Sequence, residues 1–130
     1  VILREEMEFL QSYFLLLHIR FDNAVQLIID IDERVMDQCL VPPISLQLLA
    51  ENAIKHNAFS EAAPLLLTIT IKEDALVIHN PIKKKNLRKE SSKIGLQNLQ
   101  ERYKLTTGKE ITILEEENDF TVQLPVLRIV

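Results

Sequence analysis

Apolar residues recur along this chain with two different periods, and the switches between them outline the fold. Over 4–21, Phe9, Tyr13, Phe14, Leu16 and Ile19 give a helical segment a broad apolar face, and Glu5, Glu6 and Glu8 favour its N-terminal dipole. The stretch 13–19 is too apolar for a free surface helix, so it calls for packing on the domain, on a partner, or on both. Residues 25–31 (VQLIIDI) alternate, with Val25, Leu27, Ile29 and Ile31 on one face, which reads as a strand. The polar stretch 32–40 reads as irregular. Pro42 and Pro43 then introduce a helix over 44–57 (ISLQLLAENAIKHN), since proline is tolerated in a first helical turn. At 100° per residue, Leu46, Leu49, Ala50 and Ala53 form its apolar stripe. Gln47, Glu51 and Lys55 lie opposite, and Asn52 and His56 fall on the edge between, one turn apart.

After Pro64 the period changes to two. Residues 65–72 (LLLTITIK) and 75–80 (ALVIHN) read as strands joined at Glu73-Asp74, and Pro81 is expected to stop the second. A helix is expected over 94–107, with Leu96, Leu99, Tyr103 and Leu105 on one side and Gly108 at its C-terminal end. Residues 110–116 and 120–127 alternate again, forming a second hairpin around Asn118-Asp119. The order is α-β-α-β-β-α-β-β. Hairpins exclude a purely parallel sheet, and amphipathic helices need a sheet face to bury against. The expected fold is therefore α+β: an α/β sandwich with one mixed five-stranded sheet and about three helices on one face.

Composition changes this picture little. The chain has 130 residues, 47% hydrophobic and 26% charged, which suits one globular domain with its own core. A net charge of −4 argues against a general nucleic-acid binder. The single cysteine, Cys39, excludes an internal disulfide and reads as a small buried thiol. No apolar run near the start is long enough for a membrane span. The first residue is valine, as expected of a piece of a longer protein or a processed chain.

Charge is uneven, however. Residues 83–93 (KKKNLRKESSK) hold six basic residues and one acid, a local +5 that leaves −9 for the rest. A basic loop followed by Gly95 and a helix N-terminus suits a polyphosphate, through backbone N–H groups and the helix dipole. An asparagine inside a helix carries a propensity cost, and its amide oxygen is a good ligand for a hard cation such as Mg²⁺. The residues alone leave two readings open at each place: a structural amide or a metal ligand at Asn52, and a solvated or phosphate-binding loop at 83–93. No Walker or Rossmann loop is possible with only two glycines, Gly95 and Gly108. His18 and His79 read as packed or rim side chains. No catalytic base can be named.

ENAIKHN, 51–57, resembles the N box of histidine kinase ATP-binding domains, in particular the LytS-like group, in which a proline-rich lead-in precedes a leucine-rich helix. IGLQNLQERY, 94–103, is similar to that group's second glycine box and the helix it opens. LREEMEFLQSYFLLLHIRF, 3–21, resembles the segment joining phosphoacceptor helices to the catalytic domain. The matches occur in the family's order and cover nearly the whole chain. The resemblance implies the Bergerat-type ATP-binding fold of the GHKL ATPases, with 1–22 as a linker helix and 23–130 as the catalytic domain. It implies ATP and Mg²⁺ as cofactors, Asn52 as the metal ligand, and Lys55 and His56 as phosphate or ribose contacts. Asn80 would stand where the family has the aspartate that accepts from the adenine amino group. Residues 83–93 would be the ATP lid, with Gly95 and Leu96 closing over the phosphates. The implied activity is a protein histidine kinase in a two-component system, delivering the γ-phosphoryl to an upstream histidine. The implied partners are a response regulator and a second copy joined through the N-terminal helix. The implied location is cytoplasmic, below an upstream membrane anchor.

Two departures stand out. The first glycine box, Asp-x-Gly-x-Gly, is replaced by Asn80-Pro81-Ile82-Lys83-Lys84, and the second keeps one glycine, with Ser91 and Lys93 at usual glycine places. The alternative they raise is a nucleotide-silent pseudokinase domain acting in dimerisation or interaction.

Overall fold

The structure is a computed structural model that describes residues 1–82 and 89–129, with side chains described outside 89–94. Its elements are α1 (Leu3–Phe21), β1 (Val25–Asp30), α2 (Glu33–Met36), β2 (Cys39–Leu40), α3 (Ser45–His56), β3 (Leu65–Lys72), β4 (Ala75–Pro81), α4 (Lys89–Thr107), β5 (Thr112–Glu115), β6 (Asp119–Pro125) and β7 (Leu127–Arg128). Five strands form one mixed sheet in the order β1-β3-β4-β6-β5. Only the β1–β3 pair is parallel, as a crossover through α2 and α3 requires; the other three are antiparallel.

One face of this sheet is buried. Leu65, Leu67 and Ile69 on β3, Leu76 and Ile78 on β4, and Val122 and Leu124 on β6 pack into the core with α1, α3 and α4. The alternate residues of these strands stay partly accessible, so the helices cover one face only. The expected α+β sandwich is thus the observed one. Gly108 takes φ +74° and its N–H donates to the Lys104 carbonyl at 2.8 Å, closing α4 as a left-handed cap. The Tyr103 hydroxyl, whose burial pushes its pKa up, donates to the Pro125 carbonyl and ties α4 to the end of β6.

Several elements depart from the sequence pattern. Residues 32–40, expected to be irregular, contain α2, capped by Asp32 accepting from the Arg34 N–H at 2.9 Å, and then β2. The strand β2 pairs antiparallel with β7 as a separate two-stranded ribbon. Two residues are too few to show a period, so only the long-range pairing reveals them. Pro81 does not stop β4: it pairs with Asp119, and the Ile82 N–H donates to the Asn118 carbonyl at 2.9 Å. By alternation, the missing proline N–H faces β3, whose ladder with β4 ends at His79, so no hydrogen bond is forfeited. Pro42 and Pro43 precede α3 rather than opening it. Helix α4 starts at Lys89, inside the expected basic loop; of that loop, 83–88 lie outside the described residues. Leu105, placed on the apolar side of α4, is exposed.

The largest correction concerns α1. Its buried stripe is Leu3, Met7, Leu10, Phe14 and Leu17, at heptad-like spacing. Phe9, Leu16 and Ile19, read above as part of one broad apolar face with Tyr13 and Phe14 that packs on the domain, on a partner, or on both, are 65%, 65% and 82% exposed. The helix has two apolar faces, and the sheet takes the other one.

At the base of α1, Arg4 donates to Asp37 Oδ1 at 2.6 Å and to Glu33 Oε2 at 2.8 Å. The hydrogen bond from Arg4 holds the Asp37 carboxyl below its ordinary 3.8. A carboxylate pKa lowered by folding stabilises the fold above the ordinary value and loses that contribution as pH falls through the lowered one. The stability difference between the wild type and Arg4→Ala is therefore expected to be constant above about pH 5 and to shrink below it, a small effect because the pair is exposed. Urea midpoints from pH 2 to pH 7 check this; a difference that grows on acidification would refute it.

Candidate functional site

Helix α3 carries the polar edge that its sequence pattern describes. Leu46, Leu49, Ala50 and Ala53 are buried, Lys55 is exposed, and Asn52 and His56 are half-buried. Gln47 Nε2 donates to Glu51 Oε1 at 3.1 Å on the polar side. Asn80 is buried near the end of β4 at 3% exposure, on the helix-facing side with Leu76 and Ile78, and its Nδ2 donates to the Pro81 carbonyl at 3.1 Å. Gly95 is exposed within α4, seven residues into that helix, and Leu96 is partly buried against the core.

Strand register and a cleft at the opposite end fix how these residues relate. Ala75, at the start of β4, pairs with Pro125, while Asn80 pairs with Phe120. A cavity of about 300 Å³ is lined by Pro43 before α3, Thr106 and Thr107 at the end of α4, and Pro125. The start of α3, the end of α4 and the start of β4 therefore share one end of the molecule. Asn52, Lys55 and His56 on α3, Gly95 and Leu96 on α4, and Asn80 on β4 all lie toward the other. Helices α3 and α4 pack side by side and run antiparallel between the two ends.

Asn57, at the same end of α3, carried no assignment in the sequence. It is 6% exposed at the end of α3, and its Nδ2 donates to the Ala53 carbonyl at 2.9 Å. The signal was a polar residue closing a helix whose neighbours are apolar, which a helix-end amide explains equally well. His79 is excluded from the group. It alternates away from the helices and pairs with Asp119 at 2.8 Å on the other face of the sheet.

A bound nucleotide and metal are testable against these residues. Hard cations take oxygen ligands, which the half-buried Asn52 amide beside Glu51 supplies. A Cβ added at Gly95 would meet nothing within 4 Å among the described residues, so the protein's own packing does not demand glycine there. An exposed helical glycine that no neighbour requires leaves room for a close-approaching ligand. The residues fit a magnesium nucleotide. No group of three His, Cys, Asp or Glu residues able to hold a metal is present among the described residues.

No family model matches the chain. A curated search does find relatives. The chain is 42% identical over 77 residues to an uncharacterized sensor-like histidine kinase of Staphylococcus epidermidis, covering 59% of this chain and 14% of that protein. It is 29% identical over 117 residues to the sensor histidine kinase YesM of Bacillus subtilis, covering 84% of this chain and 20% of that protein. The sensor protein LytS of Oceanobacillus iheyensis is 35% identical over 69 residues, covering 53% of this chain and 12% of that protein. The chain thus spans a fifth or less of the length of these relatives. Among solved structures, the catalytic domain of histidine kinase ThkA superposes with a TM-score of 0.57 at 15% identity, covering 96% of this chain and 94% of that one. The Acinetobacter baumannii histidine kinase AdeS gives 0.55 at 12% identity, covering 94% of this chain and 64% of that one.

The relatives of this chain are sensor histidine kinases, LytS among them, and its fold is that of the histidine kinase catalytic domain. The first of the two departures from that family's pattern acquires a place. Asn80 ends the last buried alternation of β4, and Pro81 and Ile82 continue the strand into its pairing with β6, with Ile82 at the first glycine place of that pattern. No described helix is long and apolar enough to cross a membrane.

Proposed function

We propose that this chain is the ATP-binding catalytic domain of a two-component sensor histidine kinase, acting on a phosphoacceptor histidine in another segment of the full protein. What supports this reading is that Asn52, Lys55 and His56 on α3, Gly95 and Leu96 on α4, and Asn80 on β4 all lie away from the end of the molecule that holds the cavity. Asn52 holds Mg²⁺, Lys55 and His56 meet phosphate or ribose, Asn80 accepts from the adenine amino group, and Gly95 and Leu96 border the phosphates. Held by the Asn52 amide oxygen, the metal would supply positive charge to the phosphates. The residues of this chain orient the nucleotide, so catalysis here is mostly positioning and charge stabilisation. The full protein is proposed to dimerise, with the exposed Phe9, Leu16 and Ile19 face of α1 facing the second copy, to pass its phosphoryl group to a response regulator, and to keep this domain in the cytoplasm below a membrane anchor.

The test is thermal melting of the domain with Mg²⁺ and a non-hydrolysable ATP analogue. Saturating ligand is expected to raise the midpoint, and an unchanged midpoint at millimolar nucleotide would sink the proposal for this domain. Gly95→Ala separates ligand space from packing. Alanine is favoured over glycine in a helix by about 0.5–1 kcal/mol, so the free domain should melt later while its nucleotide shift shrinks. A shift unchanged by the added methyl would remove Gly95 from the site.

A second reading is a nucleotide-silent domain that works through its interfaces. It is favoured by the closed β4 end, where Pro81 pairs with Asp119. The same melting experiment decides between the two.

A further inference from the structure

Helix α3 begins in an unusual way. Its N-cap is Ile44, which has no side-chain oxygen to offer, and the helix has no acidic residue in its first turn. Helix N-termini expose unpaired N–H groups, and Ser, Thr, Asp or Asn normally meets them. Here the cap comes from another helix. Glu6 of α1, 7% exposed, accepts from the Ile44 N–H through Oε2 and from the Leu46 N–H through Oε1, both at 3.2 Å. A buried carboxylate is costly unless it is hydrogen-bonded, and these two donors at the positive end of a helix dipole meet that need.

The residue gripped in this way is strained. Ile44 sits at φ +69°, ψ 1°, in the left-handed region that β-branched residues avoid. Its side chain is 52% exposed, so core packing does not hold it there. Ser45, fully buried, donates from Oγ to the Pro42 carbonyl at 2.9 Å and closes the preceding turn. Glu6 is thus the contact from outside the turn that fixes its shape.

We infer that Glu6 is a positioning residue: by holding the left-handed turn at Ile44 it couples the placement of α1 to the register of α3, and so to Asn52. Asn52 lies eight residues beyond Ile44, about 12 Å along one rigid helix. A rotation or axial shift of α1 withdraws the carboxylate from two N–H groups at once. Ile44 then relaxes toward ordinary φ, and the start of α3 moves with it. The other face of α1 carries the exposed Phe9, Leu16 and Ile19, so whatever engages that face acts on the helix that carries Glu6. The nucleotide consequence rests on the function proposed above; the coupling itself does not.

The experiment uses the domain with Glu6→Gln, which keeps the shape of the side chain but turns one acceptor into a donor facing an N–H. Amide hydrogen exchange of the nucleotide-free protein reads the coupling. Magnesium–ATP-analogue affinity reads its consequence. Glu6→Gln is expected to speed exchange at Leu46 and also along α3 through Asn52, and to weaken nucleotide binding by about tenfold, within the usual range of coupling between sites. Ile44→Gly in the Glu6→Gln background is expected to restore exchange at Asn52 and nucleotide affinity within about threefold, because glycine takes the left-handed conformation unaided. Faster exchange confined to the first turn, with unchanged behaviour at Asn52, would make Glu6 a local cap and overturn the inference. So would failure of Ile44→Gly to rescue. Should Glu6→Gln not fold, Ile44→Gly alone decides through Glu6→Asp: the shorter carboxylate is expected to weaken binding with Ile44 and not with Gly, and equal weakening in both refutes the link. A wild type that binds no nucleotide defeats the function proposed above, while the exchange measurement still decides the coupling.

Discussion

Asn52→Ala is expected to abolish the magnesium-dependent stabilisation of this domain by nucleotide. Linkage sets the size: at a ligand concentration one hundred times its dissociation constant, the wild type gains about 2.7 kcal/mol. Without the amide oxygen the metal loses its ligand on α3, and the phosphates lose the charge that the metal brings. The free variant should not be weakened by the change. Asn52 is half-buried at the edge of the stripe, and alanine has the higher helix propensity, by some tenths of a kcal/mol. The expected signature is therefore an unchanged or slightly raised midpoint without nucleotide and no magnesium-dependent rise with it. A free variant that melts much earlier would show that the amide is structural. A nucleotide shift that survives would remove Asn52 as metal ligand.

Asn80→Asp is expected to destabilise the free domain and to enlarge its response to adenine nucleotide. The Asn80 amide is 3% exposed and donates to the Pro81 carbonyl at 3.1 Å. An aspartate has no donor for that carbonyl and brings a buried charge, at a cost of about 1–3 kcal/mol. The adenine amino group would donate to the new carboxylate, and a bond to a carboxylate is stronger than one to a neutral amide. An ATP analogue should then raise the midpoint of Asn80→Asp by more than it raises the wild type. An inosine analogue, with a carbonyl in place of the amino group, should not. Equal responses to the two bases would take Asn80 out of base recognition. An undiminished midpoint in the free variant would mean that water reaches this strand end.

The legible parts of this protein share a property: each is decided by residues close in sequence. The stripe of α3 is complete within eight residues, from Leu46 to Ala53, and every member is buried. The Glu73-Asp74 turn was readable from the alternation on both sides, although Glu73 takes positive φ (57°) without being glycine. The edge position of Asn52 and His56 followed from the same geometry. The family resemblance then gave the residues at the edge their proposed chemistry, which periodicity by itself left open between amide and ligand.

What stayed hidden depends on contacts far apart in the chain. Helix α1 offers two apolar faces, and nothing local says that Met7, Leu10 and Phe14 meet the core while Phe9, Leu16 and Ile19 meet solvent. Pro81 looks like a stop until the register shows which side its missing N–H faces. Strands β2 and β7 are too short to carry a period and are revealed by their pairing. Glu6 reads as one acid among several at the start of a helix, and only packing brings it across 38 residues to the Ile44 N–H. The sequence alone determined the element types and the polar edge of α3, because side-chain periodicity sets which face of an element is wet. Tertiary structure alone decided which apolar face is core and which carboxylate caps α3, because burial and hydrogen bonding are settled by whatever is brought alongside.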